Sequence, residues 1–213
     1  MIIGFLLTVV VAYLVGSFPT GYLVARAKGV DLRAHGSGNI GATNAFRVLG
    51  KGPGILVLAV DALKGVLAVK WIPVLLLNWV SPEVQPHLPM VAGLGAILGH
   101  NYTCWLRFKG GKGIATTAGV MGALLPWALV IALTTWFVVL RISRYMSIAS
   151  ITAAVALPIG TFLTTPDRSL RILAAVLGTL AILRHRGNIQ RLRAGTEPRF
   201  EFRGKSQKTT PPV

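Results

Sequence analysis

The chain predicts an all-α integral membrane protein of seven transmembrane helices, several of them short, with the N-terminus outside and the C-terminus cytoplasmic. Three observations carry that expectation. Of the 213 residues 53% are hydrophobic and only 13% are charged, with a mean hydropathy of +0.65, a balance suited to a chain whose main solvent is lipid. The apolar residues are gathered into long runs divided by short polar stretches. The 22 Lys and Arg, against 6 Asp and Glu, can be placed mostly on one side of a membrane, as the positive-inside rule requires.

The first run spans roughly Ile2 to Ala25. Met1 to Val15 is apolar with no basic leader, so it reads as a retained span rather than a secretory signal. Arg26, Lys28 and Arg33 follow at once, which makes the next loop cytoplasmic. The second run, about Gly54 to Val80, carries Asp61 and Lys64, three apart and able to pair on one helix face. Two readings stand side by side: a functional intramembrane charge, or a self-neutralising pair packed against another helix. Ser81 to Pro86 is a short outside turn without Lys or Arg, and the third run, about Leu88 to Leu106, delivers Arg107, Lys109 and Lys112 to the cytoplasmic side.

Ile114 to Leu140 is nearly all apolar. Read as one span, it would leave Arg141, Arg144 and the basic tail outside, against the orientation rule. A break at Pro126 repairs both faults: Ile114–Leu125 goes out, Trp127–Leu140 returns, Ile148–Leu163 goes out and Ser169–Leu183 returns. The resulting helices are short, since Ile114–Leu125 covers only about 18 Å against a hydrocarbon core of about 30 Å, so tilt or local thinning must make up the difference. Arg168 and Arg171, beside Asp167, are the outside exceptions. Residues 1–197 form a single membrane domain and 198–213 a basic, disordered cytoplasmic tail. There is no internal repeat and no separate soluble domain.

A net charge of +16 points to nucleic acid, anionic lipid or an anionic substrate. No aromatic-rich basic module separates from the apolar runs, so no nucleic-acid partner is expected. The single Cys104 excludes a disulfide framework, and His35, His87, His100 and His185 are too scattered to form a metal motif. No metal and no cofactor are expected.

Three polar stretches on the cytoplasmic side carry the chemistry. Ser37-Gly38-Asn39-Ile40-Gly41-Ala42-Thr43-Asn44-Ala45-Phe46-Arg47 reads as a loop suited to an oxyanion. Glycines admit close backbone approach, Ser37, Asn39, Thr43 and Asn44 donate hydrogen bonds, and Arg47 offers a charged fork. Gly110-Gly111-Lys112-Gly113 immediately precedes a helix, whose orphan N–H groups and positive dipole end add to the lysine charge. It is not a Walker A loop, because Leu106 and Gly113 stand where Gly and Ser/Thr are needed. Arg184-His185-Arg186-Gly187-Asn188 places His185 and Asn188 three apart. Gly-x-Ser-x-Gly is absent, and His100 has no acid four residues on, the position being Cys104. The shortage of candidate bases points to positioning and charge neutralisation.

Taken together, Ser37-Gly38-Asn39-Ile40-Gly41-Ala42-Thr43-Asn44…Arg47, Gly99-His100-Asn101…Phe108-Lys109-Gly110-Gly111-Lys112-Gly113…Thr116-Thr117 and His185…Asn188 resemble the three motifs of the bacterial acyl-phosphate:glycerol-3-phosphate acyltransferases, the PlsY family. The resemblance runs from the first span to about Glu197; Ile40 stands where Pro is as frequent. It implies an inner-membrane enzyme with its site facing the cytoplasm. Its substrates would be acyl-phosphate and glycerol 3-phosphate, and its products lysophosphatidic acid and phosphate. A substrate phosphate would take the proton from the attacking hydroxyl. The resemblance also implies membrane lipids as surroundings, and coupling to an enzyme that makes acyl-phosphate and to a downstream lysophosphatidate acyltransferase. On the matching positions it implies catalytic roles for Ser37, Arg47, Lys112, His185 and Asn188. Phosphate binding would fall to Gly38, Asn39, Thr43, Asn44, Gly110, Gly111 and Gly113. Ser147 and Ser150, one turn apart after Arg144, are further candidates, each equally readable as a helix cap or packing residue.

Two other functions fit part of the pattern. An anion or phosphate transporter explains basic loops and Gly-rich breaks, but such proteins place their sites near the midplane within repeats. A lipid-binding protein explains the charge but not three dense Gly/Asn/Ser motifs.

Overall fold

In a computed structural model, residues 2–200 are described, and among them all regular secondary structure is helical. Each of the seven apolar runs forms a helix. The first is broken: α1 (Ile2–Ser17) and α2 (Thr20–Arg26) meet at Phe18-Pro19. Pro19 lacks the N–H that would continue the ladder and restricts the residue before it. α4 (Lys51–Leu76), 26 residues long, is the longest element, about 39 Å. α5 spans Leu88–Asn101, α6 Ile114–Leu124, α7 Pro126–Ser143, α8 Met146–Thr164, α9 Arg168–Arg184 and α10 Arg186–Arg193. The break between α6 and α7 falls at Leu125-Pro126, where the charge argument requires it.

One stretch read as a loop is in part a helix. α3 (Ala42–Leu49) takes up Thr43, Asn44 and Arg47. Its apolar side, with Ala42, Ala45, Val48 and Leu49, packs on Ala25, Leu32 and Val57, which stabilises a helix too short to persist alone. Gly50, at φ 90°, then turns the chain directly into α4.

Three helical stretches, Ile3–Arg26, Pro126–Ser143 and Met146–Thr164, are long and apolar enough to cross a membrane, and α6 is a shorter apolar helix. Large apolar side chains such as Trp71, Leu75, Trp127, Ile142 and Leu163 point outward, while alanines, among them Ala12, Ala68, Ala92 and Ala96, fill the interior. Small residues set the helix spacing. Gly16 and Gly99 bring α1 onto α5, and Gly65 and Gly119 bring α4 onto α6, each so close that a Cβ would meet the partner's backbone. α8 packs between α7 and α9.

The C-terminal ends of α5, α7 and α9 and the N-terminal ends of α6 and α8 lie at one end of the bundle, where α3 and α10 also sit. The tail expected to start at residue 198 is ordered for its first three residues. Phe200 N–H donates to the Arg144 carbonyl at 2.6 Å, and Arg199 Nε donates to Tyr145 Oη at 3.1 Å. The rest of that tail, 201–213, lies outside the described residues.

Candidate active site

The three polar stretches, far apart in sequence, border one cavity of about 390 Å³. Its wall is mixed. Ser37, Asn39, Thr43, Asn44, Arg47, Lys112, His185, Asn188, Ser147 and Ser150 contribute polar groups. Phe46, Leu58, Trp136, Phe137, Leu140 and Met146 contribute apolar ones.

The first stretch is shaped by its own amides. Asn44, buried on α3, accepts from Ser37 N–H at 2.9 Å and donates to the Leu32 and His35 carbonyls at 3.2 and 3.0 Å. Asn39 Oδ1 accepts from Gly41 N–H at 2.9 Å. These bonds hold Ser37 at the rim of the cavity. Arg47 is held only by a long contact to Asn44 Oδ1, 3.5 Å, so most of its donors remain available for an anion. Gly38, at φ 69°, makes the turn but does not line the cavity.

The second stretch differs from its expected role in an informative way. Gly110 N–H donates to the Asn101 carbonyl at 3.2 Å and Gly111 N–H to the His100 carbonyl at 3.0 Å. Their own carbonyls are held by Arg184, whose guanidinium reaches Gly111 O at 2.8 Å and Gly110 O at 3.2 Å and lies over the Tyr102 ring, 4.9 Å from its centre. With those peptide groups satisfied, Gly110 and Gly111 are not the cradle. The cavity is lined one step further on, by Lys112, Gly113, Ile114 and Ala115, where the first N–H groups of α6 have no helical acceptor. Arg107 (φ 52°) and Phe108 (φ 60°) lead in through left-handed backbone that only a well-braced loop maintains.

Lys112 Nζ donates to Asn188 Oδ1 at 2.5 Å. Asn188 Nδ2 donates to Glu197 Oε1 at 2.6 Å, and Arg191 Nε to Glu197 Oε2 at 2.8 Å. Burial, together with the charges of Arg191, Arg47 and Arg184, pulls the Lys112 ammonium down to about 8, against the opposing pull of Glu197. Burial would raise Glu197, but hydrogen bonds from Asn188 and Arg191 outweigh it and hold the carboxylate below its ordinary value. His185 is buried. Its Nδ1 lies 2.7 Å from the Ala181 carbonyl, so Nδ1 carries the proton and Nε2 is left as an acceptor. Burial and the nearby Lys112 charge push His185 down to about 4, so it is neutral at physiological pH.

Both serines of α8 line the cavity. Ser150 Oγ accepts from Trp136 Nε1 at 3.3 Å. Ser147 Oγ is buried near Glu197 without a well-formed hydrogen bond.

The sequence matches the glycerol-3-phosphate acyltransferase family model over residues 6–195. The chain belongs to the glycerol-3-phosphate acyltransferase family. A family relative from Geotalea daltonii, named glycerol-3-phosphate acyltransferase, is 47% identical, covering 89% of this chain and 94% of its own. One from Desulforudis audaxviator is 45% identical over 93% and 96%. The solved integral membrane enzyme PlsY in its glycerol 3-phosphate form superposes with a TM-score of 0.82 at 40% identity, covering 92% of this chain and 96% of that one. Its lysophosphatidic acid form gives 0.79. This family member is accordingly an acyltransferase and an integral membrane protein.

The structure also brings to this acyltransferase cavity residues that the sequence alone does not place there. Glu197, which the sequence places at the end of the membrane domain, orients Asn188, and Pro198 and Phe200 join the wall. Asp61 and His100, from α4 and α5, reach the cavity floor. The first of these had a signal, an acid in an apolar run; the pairing of the two had none, because no local spacing connects them.

Proposed function

We propose that the protein transfers a fatty acyl group from acyl-phosphate to the sn-1 hydroxyl of glycerol 3-phosphate, giving lysophosphatidic acid and inorganic phosphate, as the first acylation of phospholipid synthesis. The observation that carries this reading is the mixed lining of one cavity: cations and amide donors from three motifs together with aromatic and aliphatic side chains. Two phosphoryl headgroups and an acyl chain need both kinds of group. The solved relative's glycerol 3-phosphate and lysophosphatidic acid forms support the acceptor and the product.

In the reaction the sn-1 hydroxyl oxygen bonds to the acyl carbon. The bond from that carbon to the phosphate oxygen breaks, and the hydroxyl proton passes to a phosphate. Lys112, the α6 N-terminus and Arg47 neutralise the phosphoryl charge. Neutral His185, with Nε2 free to accept, orients the hydroxyl. Its low basicity agrees with a proton that ends on substrate phosphate rather than on the protein.

Seven spans, the N-terminus outside and the cavity facing the cytoplasm across the inner membrane complete the reading, since Arg47, Lys112, Arg141, Arg144 and Arg184 gather at one end of the bundle. No cofactor takes part. Acyl-phosphate would come from a separate acyl-phosphate-producing enzyme, and lysophosphatidic acid would pass to a second acyltransferase. The deciding assay incubates the purified protein with palmitoyl-phosphate and glycerol 3-phosphate and reads released phosphate, with acyl-CoA as control donor. Lysophosphatidic acid formed from acyl-CoA but not from palmitoyl-phosphate would defeat the reading, and phosphate flux into proteoliposomes without a donor would indicate a transporter.

A further inference from the structure

Under the cavity floor Asp61 and Lys64 on α4 meet His100 near the end of α5. All three are almost fully buried, at 2%, 5% and 5% exposure. Lys64 Nζ has three acceptors around it: Asp61 Oδ1 at 2.8 Å, the Phe18 carbonyl at 3.1 Å and His100 Nδ1 at 2.9 Å. Asp61 Oδ1 also accepts from Thr20 Oγ1 at 3.1 Å. A carboxylate buried without a cation is costly, and lysine is by nature the more basic of the two possible cations. Lys64 is therefore the ammonium and Asp61 its counter-charge. An ammonium can only donate, so its three protons match its three acceptors and His100 Nδ1 must accept. A neutral imidazole that accepts at Nδ1 carries its proton on Nε2.

That Nε2–H has no hydrogen-bond partner among the described residues, and His100 lines the cavity. Nε2 stands against Gly111, where a Cβ would run into the ring nitrogen. Gly111 is pinned there by its N–H on the His100 carbonyl and its carbonyl on Arg184. Gly111, lacking a Cβ, leaves at the ring nitrogen a space that any other residue would fill.

We propose that His100 is a further substrate-contacting residue of this acyltransferase, its Nε2–H donating a hydrogen bond to an oxyanion in the cavity, while Asp61 and Lys64 are positioning residues that fix the donor tautomer. The oxyanion is either a phosphoryl oxygen or the acyl oxygen as it gains charge. The two imidazoles then face the substrates with opposite polarity: His100 donates and His185 accepts. Only the kinetic arm of the test below rests on the acyl-transfer reading.

In the full-length protein, His100→Asn keeps an acceptor for Lys64 but loses the outer donor, whereas His100→Gln restores an N–H near the Nε2 position. His100→Asn is expected to cut kcat/KM about 100-fold, the scale of one lost oxyanion donor, and His100→Gln to recover at least about tenfold of that. A fall carried by kcat marks the acyl oxygen as the partner; a rise in the KM of one substrate marks a phosphoryl oxygen. Wild-type kinetics in His100→Asn, or equal losses in both variants, would overturn the proposal. Long-range ¹H–¹⁵N NMR of ¹⁵N-histidine-labelled wild-type protein supplies an arm that needs neither variant folding nor turnover. His100 should appear as the Nε2–H tautomer and His185 as Nδ1–H. A His100 protonated on Nδ1 sinks the proposal even if the protein acylates glycerol 3-phosphate. Conversely, absence of acylation with the expected tautomers would count against the proposed function alone.

Discussion

Lys112 Nζ donates to Asn188 Oδ1 at 2.5 Å across 76 residues of sequence. The bond joins the loop before α6 to α10 and sets both groups on the same side of the cavity. Which end of the Asn188 amide faces Lys112 is decided from behind, because Glu197 takes the Nδ2 end and is itself held by Arg191. A cation is thus kept partly buried while only one of its three protons is used within the protein, leaving the other two for a substrate oxyanion.

Lys112→Ala is therefore expected to lower kcat/KM by about 10²–10³, the range for removing one pre-aimed charged donor. Phosphate release from palmitoyl-phosphate and glycerol 3-phosphate measures it. His185→Ala should lose less, since an acceptor that only orients the hydroxyl contributes less than charge neutralisation. Equal losses, joined to a histidine-like step in the pH profile, would make His185 a base.

Arg47 is exposed and anchored by one long contact. Its removal should leave the fold intact and act on binding. Arg47→Ala is expected to raise the KM of one anionic substrate by about 10–100-fold, the equivalent of a charge-assisted hydrogen bond of about 1.5–3 kcal/mol. Arg47→Lys should restore only part of this, because a point charge does not reproduce the fork. An unchanged KM for both substrates would remove Arg47 from the site.

The pH dependence follows from Lys112 at about 8 and His185 at about 4. Below about pH 8 the free protein already holds the Lys112 proton. Above it the proton is lost, so binding a phosphate must restore it. Affinity for glycerol 3-phosphate should fall up to tenfold per pH unit above about 8, with uptake of about one proton at pH 9. Calorimetry in buffers of different ionisation enthalpy reads that proton directly. Between pH 5.5 and 7.5, His185 contributes no step, because it remains neutral throughout.

The parts of this molecule that were legible in the sequence are those written in local chemistry. The helix break at Pro126 follows from charge placement and proline geometry, and the three motifs announce themselves by dense Gly, Asn, Ser and cationic residues. What escaped depends on tertiary contact. α3 was read as a loop because Thr and Asn favour turns as much as helix; it is helical because Ala45 and its apolar neighbours find Leu32 and Val57. Gly110 and Gly111 looked like the phosphate cradle, but the carbonyls of His100 and Asn101 take their N–H groups. The Asp61–Lys64 pair was visible by spacing, whereas its third member, His100, lies 36 residues beyond Lys64 and no periodicity connects them.

That cluster gives the last prediction. Lys64→Met leaves the Asp61 carboxylate buried without its ammonium, with the Thr20 hydroxyl at 3.1 Å and the neutral His100 ring, Nδ1 at 3.6 Å, beside it, and breaking one side of a buried ion pair typically costs about 3–5 kcal/mol. Replacing both charges, as in Asp61→Asn with Lys64→Met, removes the uncompensated charge and should recover most of that loss. Thermal unfolding in one detergent, followed by intrinsic fluorescence, compares the two: the single variant should melt well below wild type and the double variant close to it. Equal destabilisation would mean that the pair acts through packing volume rather than charge. If the double variant is stable yet slow, stability and catalysis separate at this cluster, as they must if Lys64 serves the reaction by dictating which nitrogen of His100 bears the proton.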